Sequence, residues 1–237
     1  MDGPRPDGMT RTAVVAGVGP GLGESLARRF HEEGCRVGLF ARSASFVESL
    51  AEELGEGAIG VGVDVTDREQ VTEGFEAVRE AFGPVDVLVN HASGGAWQGL
   101  TDIGPGEFSH ALEVSAVGAL HCSQEAVPDM LESGGGTVLF TGATSAVRGR
   151  GGAIGFSAGK FAARGMAESM ARELGPEGIH VAHVVLDGGI RPPEGGDRDP
   201  EQYLDPDAIA DSYWHLVEQD RSAWTLELDL RPHVEEF

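Results

Sequence analysis

Lys160 is the only lysine among 17 basic residues; the other sixteen are arginines. In a chain that avoids lysine almost everywhere, the one that survives marks a place where a planar guanidinium fails and a compact, flexible ammonium serves. Far upstream, AGVGPGLGES (16–25) sets Gly17, Gly19, Gly21 and Gly23 between an apolar run and an amphipathic one that opens at Leu22. Glycines at such a junction permit a tight turn and let backbone N–H groups approach a pyrophosphate at a helix N-terminus. The second apolar run ends FARS, so Arg42 stands where an acidic residue would take a ribose 2′-hydroxyl. An arginine there suits a 2′-phosphate, which predicts NADP(H) in preference to NAD(H). Asp64 ends the third run with a carboxylate able to accept from an adenine amino group. Asn90 ends the fourth, close to the expected cofactor.

These residues need a frame that brings strand ends together, and the hydropathy pattern predicts one. Apolar runs at 12–17, 35–41, 58–65, 85–90, 137–142, 179–186 and 224–230 alternate with amphipathic stretches near 22–33, 44–54, 67–82, 107–132, 156–174 and 206–219. Strands apolar on both faces and separated by helices imply a parallel sheet covered on both sides. The expected fold class is α/β: a Rossmann-like, doubly wound parallel sheet of about seven strands, its ligand crevice at the carboxyl ends. No repeat or linker divides the chain, so residues 12–237 read as a single domain after a disordered lead over 1–11. The polar stretch at 188–203, rich in glycine and proline, reads as a lid or surface loop.

Charge limits the partners. Asp and Glu number 39 against those 17 cations, a net −22, and the carboxylates are spread along the whole chain. Such a field repels nucleic acid and anionic membranes, and it is best tolerated where salt screens it, which predicts a halophilic setting. No apolar run reaches the ~18 residues of a membrane span. Cys35 and Cys122 lie far apart with no paired spacing, which suits a reducing cytoplasm.

The motifs together resemble the short-chain dehydrogenases/reductases over about residues 12–232. GVGPGLG stands for that family's GxxxGxG turn, DV (64–65) for its adenine contact, and NHAS (90–93) for its Asn-Asn-Ala-Gly. The Lys160 helix followed by ARELGPEGIHV (171–181) is equally typical. The resemblance implies cofactor contacts from Gly17, Gly19, Gly21, Leu22, Gly23, Arg42, Asp64, Val65, Asn90, Ala92, Lys160, Gly188 and Ile190. It also implies a small-molecule substrate and a homodimer or homotetramer paired through the long helix and the Lys160 helix.

At the catalytic end the resemblance fails in an informative way. The family's relay uses Asn, Ser, Tyr and Lys; here those positions fall on Ser115, Ala143, Phe156 and Lys160. Only the lysine is kept, and phenylalanine has no proton to give. The chain's two tyrosines, Tyr203 and Tyr213, both follow Lys160; Tyr203 reaches a site only by swinging in from the lid. A register slip of one or two offers Thr144 or Ser145 in place of the serine, and if the chain leaves the fifth strand extended, Ser145 faces the same way as Ala143. His91 and Ser93 are further candidates, and His91 alone would titrate near neutrality. Asp187 reads as a turn residue or a new carboxylate beside the nicotinamide. Trp97 and Gln98 would line a pocket, Met166 and Met170 would pack in a core or subunit interface, and His180 and His183, on opposite strand faces, make no metal pair. The expected function is an NADP(H)-dependent oxidoreductase acting on a small carbonyl, alcohol or enone without the usual acid. The alternative is a degenerate cofactor-binding protein.

Overall fold

A computed structural model describes residues 10–235. Seven strands form one parallel sheet in the order β3-β2-β1-β4-β5-β6-β9. They are β1 (Thr12–Ala16), β2 (Arg36–Ala41), β3 (Ala58–Gly62), β4 (Val87–Asn90), β5 (Gly136–Thr141), β6 (Ile179–Leu186) and β9 (Glu227–Leu230). The helices are α1 (Leu22–Glu32), α2 (Ala44–Leu54), α3 (Arg68–Phe82), α4 (Pro105–Leu112), α5 (Gly118–Glu132), α6 (Ile154–Leu174) and α7 (Pro206–Val217). Strand order reverses between β1 and β4, opening a crevice at their carboxyl ends.

The period-2 alternation of a strand decides which side chain joins which layer. On β1, Val15 packs with Leu26 and Phe30 of α1, Leu50 of α2 and Tyr213 of α7. Its neighbour Val14 packs on the other face with Phe75 of α3, Ala126 of α5 and Ala167 of α6. Both faces are therefore covered, and the seven-stranded doubly wound sheet expected from the sequence is the one found.

Several boundaries differ from the sequence expectation. β3 stops at Gly62, so Asp64 and Val65 lie on the loop beyond it. The helix expected from 107 to 132 is interrupted by a π-helical stretch, Glu113–Val117, which carries Ser115. The last strand starts at Glu227; Trp224 instead stacks on His180, ring centroids 4.9 Å apart. The 188–203 segment is not structureless, because Gly189–Ile190 (β7) pairs in parallel with Tyr203–Leu204 (β8). Of the expected disordered lead, residues 1–9 lie outside the described residues, while Arg11 is tied to Glu218 by an ion pair. Met166 and Met170 pack against the core on the α6 side.

Candidate active site

The turn from β1 to α1 is built by close approach. Gly17 has φ +111°, and a Cβ on it would fall 2.4 Å from the Ala92 nitrogen. A side chain there would force β1 and β4 apart at the crevice. Gly21 caps α1 with φ +93°, and the first-turn amides of a helix have no intrahelical acceptor. Gly19 borders the cleft, and a Cβ on it would meet nothing within 4 Å. The bare backbone fits a pyrophosphate.

A cleft of about 1090 Å³ runs across the carboxyl ends of the strands. At its β2–β3 end stand Arg42, Asp64 and Val65. Asp64 accepts from the Thr66 backbone N–H at 3.0 Å and the Thr66 hydroxyl at 2.8 Å, and the backbone bond chiefly holds its carboxyl below the usual range. It is thus an ionised acceptor. Arg42 is exposed at the cleft and, among the described residues, forms no ion pair. Ala92, Gly188 and Ile190 also border the cleft. Gly21, Leu22 and Gly23 shape the turn behind it, and the Asn90 amide is directed away, donating to Ser123 Oγ at 3.2 Å.

At the other end Lys160 sits in the second turn of α6, 4 % exposed, with its Nζ donating to the Thr141 carbonyl at 2.8 Å. Burial pushes its pKa down to about 8. Its Nζ lies 5.7 Å from the centroid of the Phe156 ring. Phe156 in turn stacks on Trp97, centroids 4.4 Å apart, and the Arg150 guanidinium lies 5.7 Å from the Trp97 ring. All four side chains border the cleft.

The remaining candidates are placed as follows. Ala143 is extended, but the chain then turns into a 3-10 helix, Thr144–Ala146, so the extended exit expected through Ser145 is not formed. Ser145 still borders the cleft, though only 2 % exposed. Ser115, in the π-helical stretch, is buried just behind the cleft wall, where it accepts at 3.1 Å from the N–H of Gly94, a residue that borders the cleft. Ser93 borders the cleft and is exposed. Gln98 donates to Glu107 at 3.0 Å. Tyr203 donates to Asp197 at 2.9 Å inside its own segment.

His91 corrects an expectation. It borders the cleft, but burial, with the nearby Lys160 charge, drives its pKa down to about 4, so it stays neutral near pH 7. Its Nδ1 is 3.1 Å from Thr141 Oγ1, which is 2.8 Å from the Tyr213 hydroxyl. Tyr213 is wholly buried, its pKa raised by that burial, and it supports the floor of the site from α7. Sequence spacing gives no sign of this chain, because Thr141 and Tyr213 are 72 residues apart.

Asp187 is also more than a turn residue. Its side chain is 3 % exposed and accepts from Thr144 Oγ1 at 2.6 Å and from Arg148 at 2.8 and 3.1 Å, with Arg231 at 3.2 Å. It ties the β5 exit, the end of β6 and the chain after β9 into one knot just outside the cleft. Asp187→Ala leaves two guanidinium groups facing each other, so the melting temperature is expected to fall by roughly 5 °C. Thermal unfolding at constant KCl checks this.

A crevice at the strand-order reversal, a bare glycine turn and an ionised acceptor beyond β3 define a doubly wound dinucleotide-binding protein. Comparison with known families makes that assignment narrower. The short chain dehydrogenase family model matches residues 11–193, and this chain belongs to that family. It is similar to a 3alpha-hydroxysteroid dehydrogenase of Mediterraneibacter gnavus, 33% identical over 180 residues, covering 74% of this chain and 72% of that protein. Among solved structures it is similar to an alcohol dehydrogenase of Thermococcus sibiricus complexed with 5-hydroxy-NADP. The TM-score is 0.87 at 27% identity, covering 96% of this chain and 98% of that one. It is equally similar to a 3-ketoacyl-(acyl-carrier-protein) reductase of Brucella melitensis complexed with NADH, TM-score 0.87 at 27% identity, covering 95% and 98%. The chain is an oxidoreductase of the short-chain dehydrogenase type.

Proposed function

We propose that this protein is an NADP(H)-dependent oxidoreductase that interconverts a small carbonyl or enone and its reduced product without a tyrosine acid. The observation that carries this is the inverted charge of the cleft. The chain as a whole has more than two carboxylates per cation (39 against 17). Yet among the described residues Arg42, Arg150 and Lys160 border the cleft against a single carboxylate, Asp64.

Arg42 pairs with the 2′-phosphate, Asp64 accepts from the adenine amino group, and Gly17 and Gly19 present backbone to the pyrophosphate. Bound there, the cofactor supplies the hydride for a carbonyl carbon. Lys160 holds the nicotinamide ribose and keeps a positive charge beside the oxygen on which negative charge develops. A water at the open end of the cleft delivers the proton, since Phe156 has none and His91 is neutral. Lys160 is an ammonium below about pH 8, so reduction is expected to weaken as pH rises through that value.

Cofactor titration in concentrated KCl, followed by energy transfer from tryptophan to NADPH and to NADH, tests the assignment. Arg42→Ala is expected to weaken NADPH roughly tenfold or more while leaving NADH unchanged, because only the former carries the phosphate the guanidinium pairs with. Equal loss for both cofactors overturns the NADP(H) preference.

The stacked Phe156–Trp97 pair, filling the place of an acid, supports a second reading: a cofactor-loaded sensor or inactive partner subunit. Cofactor binding without turnover of any carbonyl or enone would select it. Exposed Val117 at the end of the π-helical stretch, Leu120 on α5 and Phe161 on α6 support the homodimer or homotetramer. Two free, buried thiols, Cys35 and Cys122, each pushed up to about 12 by burial, suit a reducing cytoplasm. No helix of the described residues is long and apolar enough to cross a membrane.

A further inference from the structure

The NADP(H) assignment leaves one cation of the cleft unused. Arg150 is exposed at the cleft and, among the described residues, is in no ion pair. Most other arginines of the described residues hold carboxylates, as Arg28, Arg79, Arg148, Arg164 and Arg191 do, and of the few that do not, Arg42 alone shares the cleft with Arg150. With carboxylates in such excess, an arginine kept clear of all of them is held available for a charge from outside.

Its position sets it far from the 2′-phosphate that Arg42 takes. Arg42 follows β2 and Arg150 follows β5, and the order β2-β1-β4-β5 separates those strands by three spacings, roughly 14 Å. Arg150 instead lies over Trp97, which stacks on Phe156, one helical turn before Lys160. Trp97 is 58 % exposed, so much of its indole is open. The substrate end is therefore an aromatic wall with a free guanidinium at its rim and Lys160 at its foot.

Resting on the oxidoreductase reading above, we infer that the substrate is an anionic carbonyl compound: a planar, apolar body carrying a carboxylate. The body lies along Trp97 and Phe156, the carboxylate pairs with Arg150 through charge-assisted hydrogen bonds, and the carbonyl points toward Lys160. The reduction balances as one hydride from NADPH to the carbonyl carbon and one proton from water to its oxygen. The products are a hydroxy acid, NADP+ and hydroxide.

The test compares benzoylformate with its methyl ester, two aromatic 2-oxo compounds that differ in one charge. Binding is read by calorimetry on the full chain, with and without NADP+, and turnover by NADPH consumption. Arg150 stands on an exposed loop, so Arg150→Gln and Arg150→Lys should keep the fold, which thermal unfolding verifies. The expected result is tenfold or tighter binding of the acid than the ester, lost in Arg150→Gln and partly kept in Arg150→Lys, with the ester unmoved throughout. Equal binding of acid and ester, or an Arg150→Gln effect on both alike, overturns the inference. Failure of the oxidoreductase reading looks different: the acid binds in an Arg150-dependent way, but NADPH does not bind or is never consumed.

Discussion

Lys160→Met is expected to melt roughly 5 °C above the parent while losing most of its cofactor affinity. The ammonium is buried, and among the described residues its polar partner is the Thr141 carbonyl rather than a carboxylate. Its pKa falls from 10.5 to about 8 on folding, so the charged form costs the native state about 3 kcal/mol at neutral pH. Methionine removes that cost and fills nearly the same volume. It also leaves the Thr141 carbonyl unpaired, which returns about 1 kcal/mol. The net gain of about 2 kcal/mol corresponds to the stated shift for a chain of this size.

The pH signature is specific. A depressed basic pKa means that between about 8 and 10.5 the native state has released a proton the unfolded chain still binds. Parent stability therefore rises through that window relative to the variant, by more than the gap at pH 7, and the parent becomes the more stable of the two above it. The raised thiols of Cys35 and Cys122 act oppositely above pH 9, lowering stability as pH rises. Both are common to parent and variant, so the difference between the two melting curves isolates Lys160. A variant no more stable than the parent at pH 7 would mean that the ammonium is better compensated than its single hydrogen bond indicates.

Phe156→Tyr is expected to raise carbonyl reduction at least tenfold. A positioned general acid contributes ~10²–10⁴ in rate, and the ring already stands in the cleft with Lys160 Nζ 5.7 Å from its centroid. A phenol there gains a neighbouring positive charge, which lowers its pKa toward neutrality. The gain should fall short of the full range, because Ala143 and Ser115 occupy the other relay positions. Phe156→Tyr with Ala143→Ser should climb further. Single-turnover NADPH oxidation with a carbonyl substrate checks both, and an unchanged rate with cofactor bound would favour the sensor reading.

Much of this molecule is legible in local sequence. The run-and-helix alternation implies a two-face-covered parallel sheet, because a strand apolar on both sides has nowhere else to go. The glycines at 17, 19 and 21 mark the turn, because bare backbone and positive φ are properties of single positions. The lone lysine and the phenylalanine four residues before it announce the altered catalytic end. Boundaries blurred where neighbours outvote local preference: the π-helical stretch that holds Ser115 and the turn after Ala143 follow no sequence period.

The character of each functional group came from the folded chain. His91 looks like a neutral-pH acid until burial, and then the Lys160 charge, press on it. Asp187 looks like a turn residue until Arg148 and Arg231, from either side in sequence, close on it. Arg150 gains its meaning only when β5 is laid three strands from β2 and its loop is brought over Trp97. Desolvation and charge pairing are sums over neighbours in space, and strand pairing chooses those neighbours from distant parts of the chain.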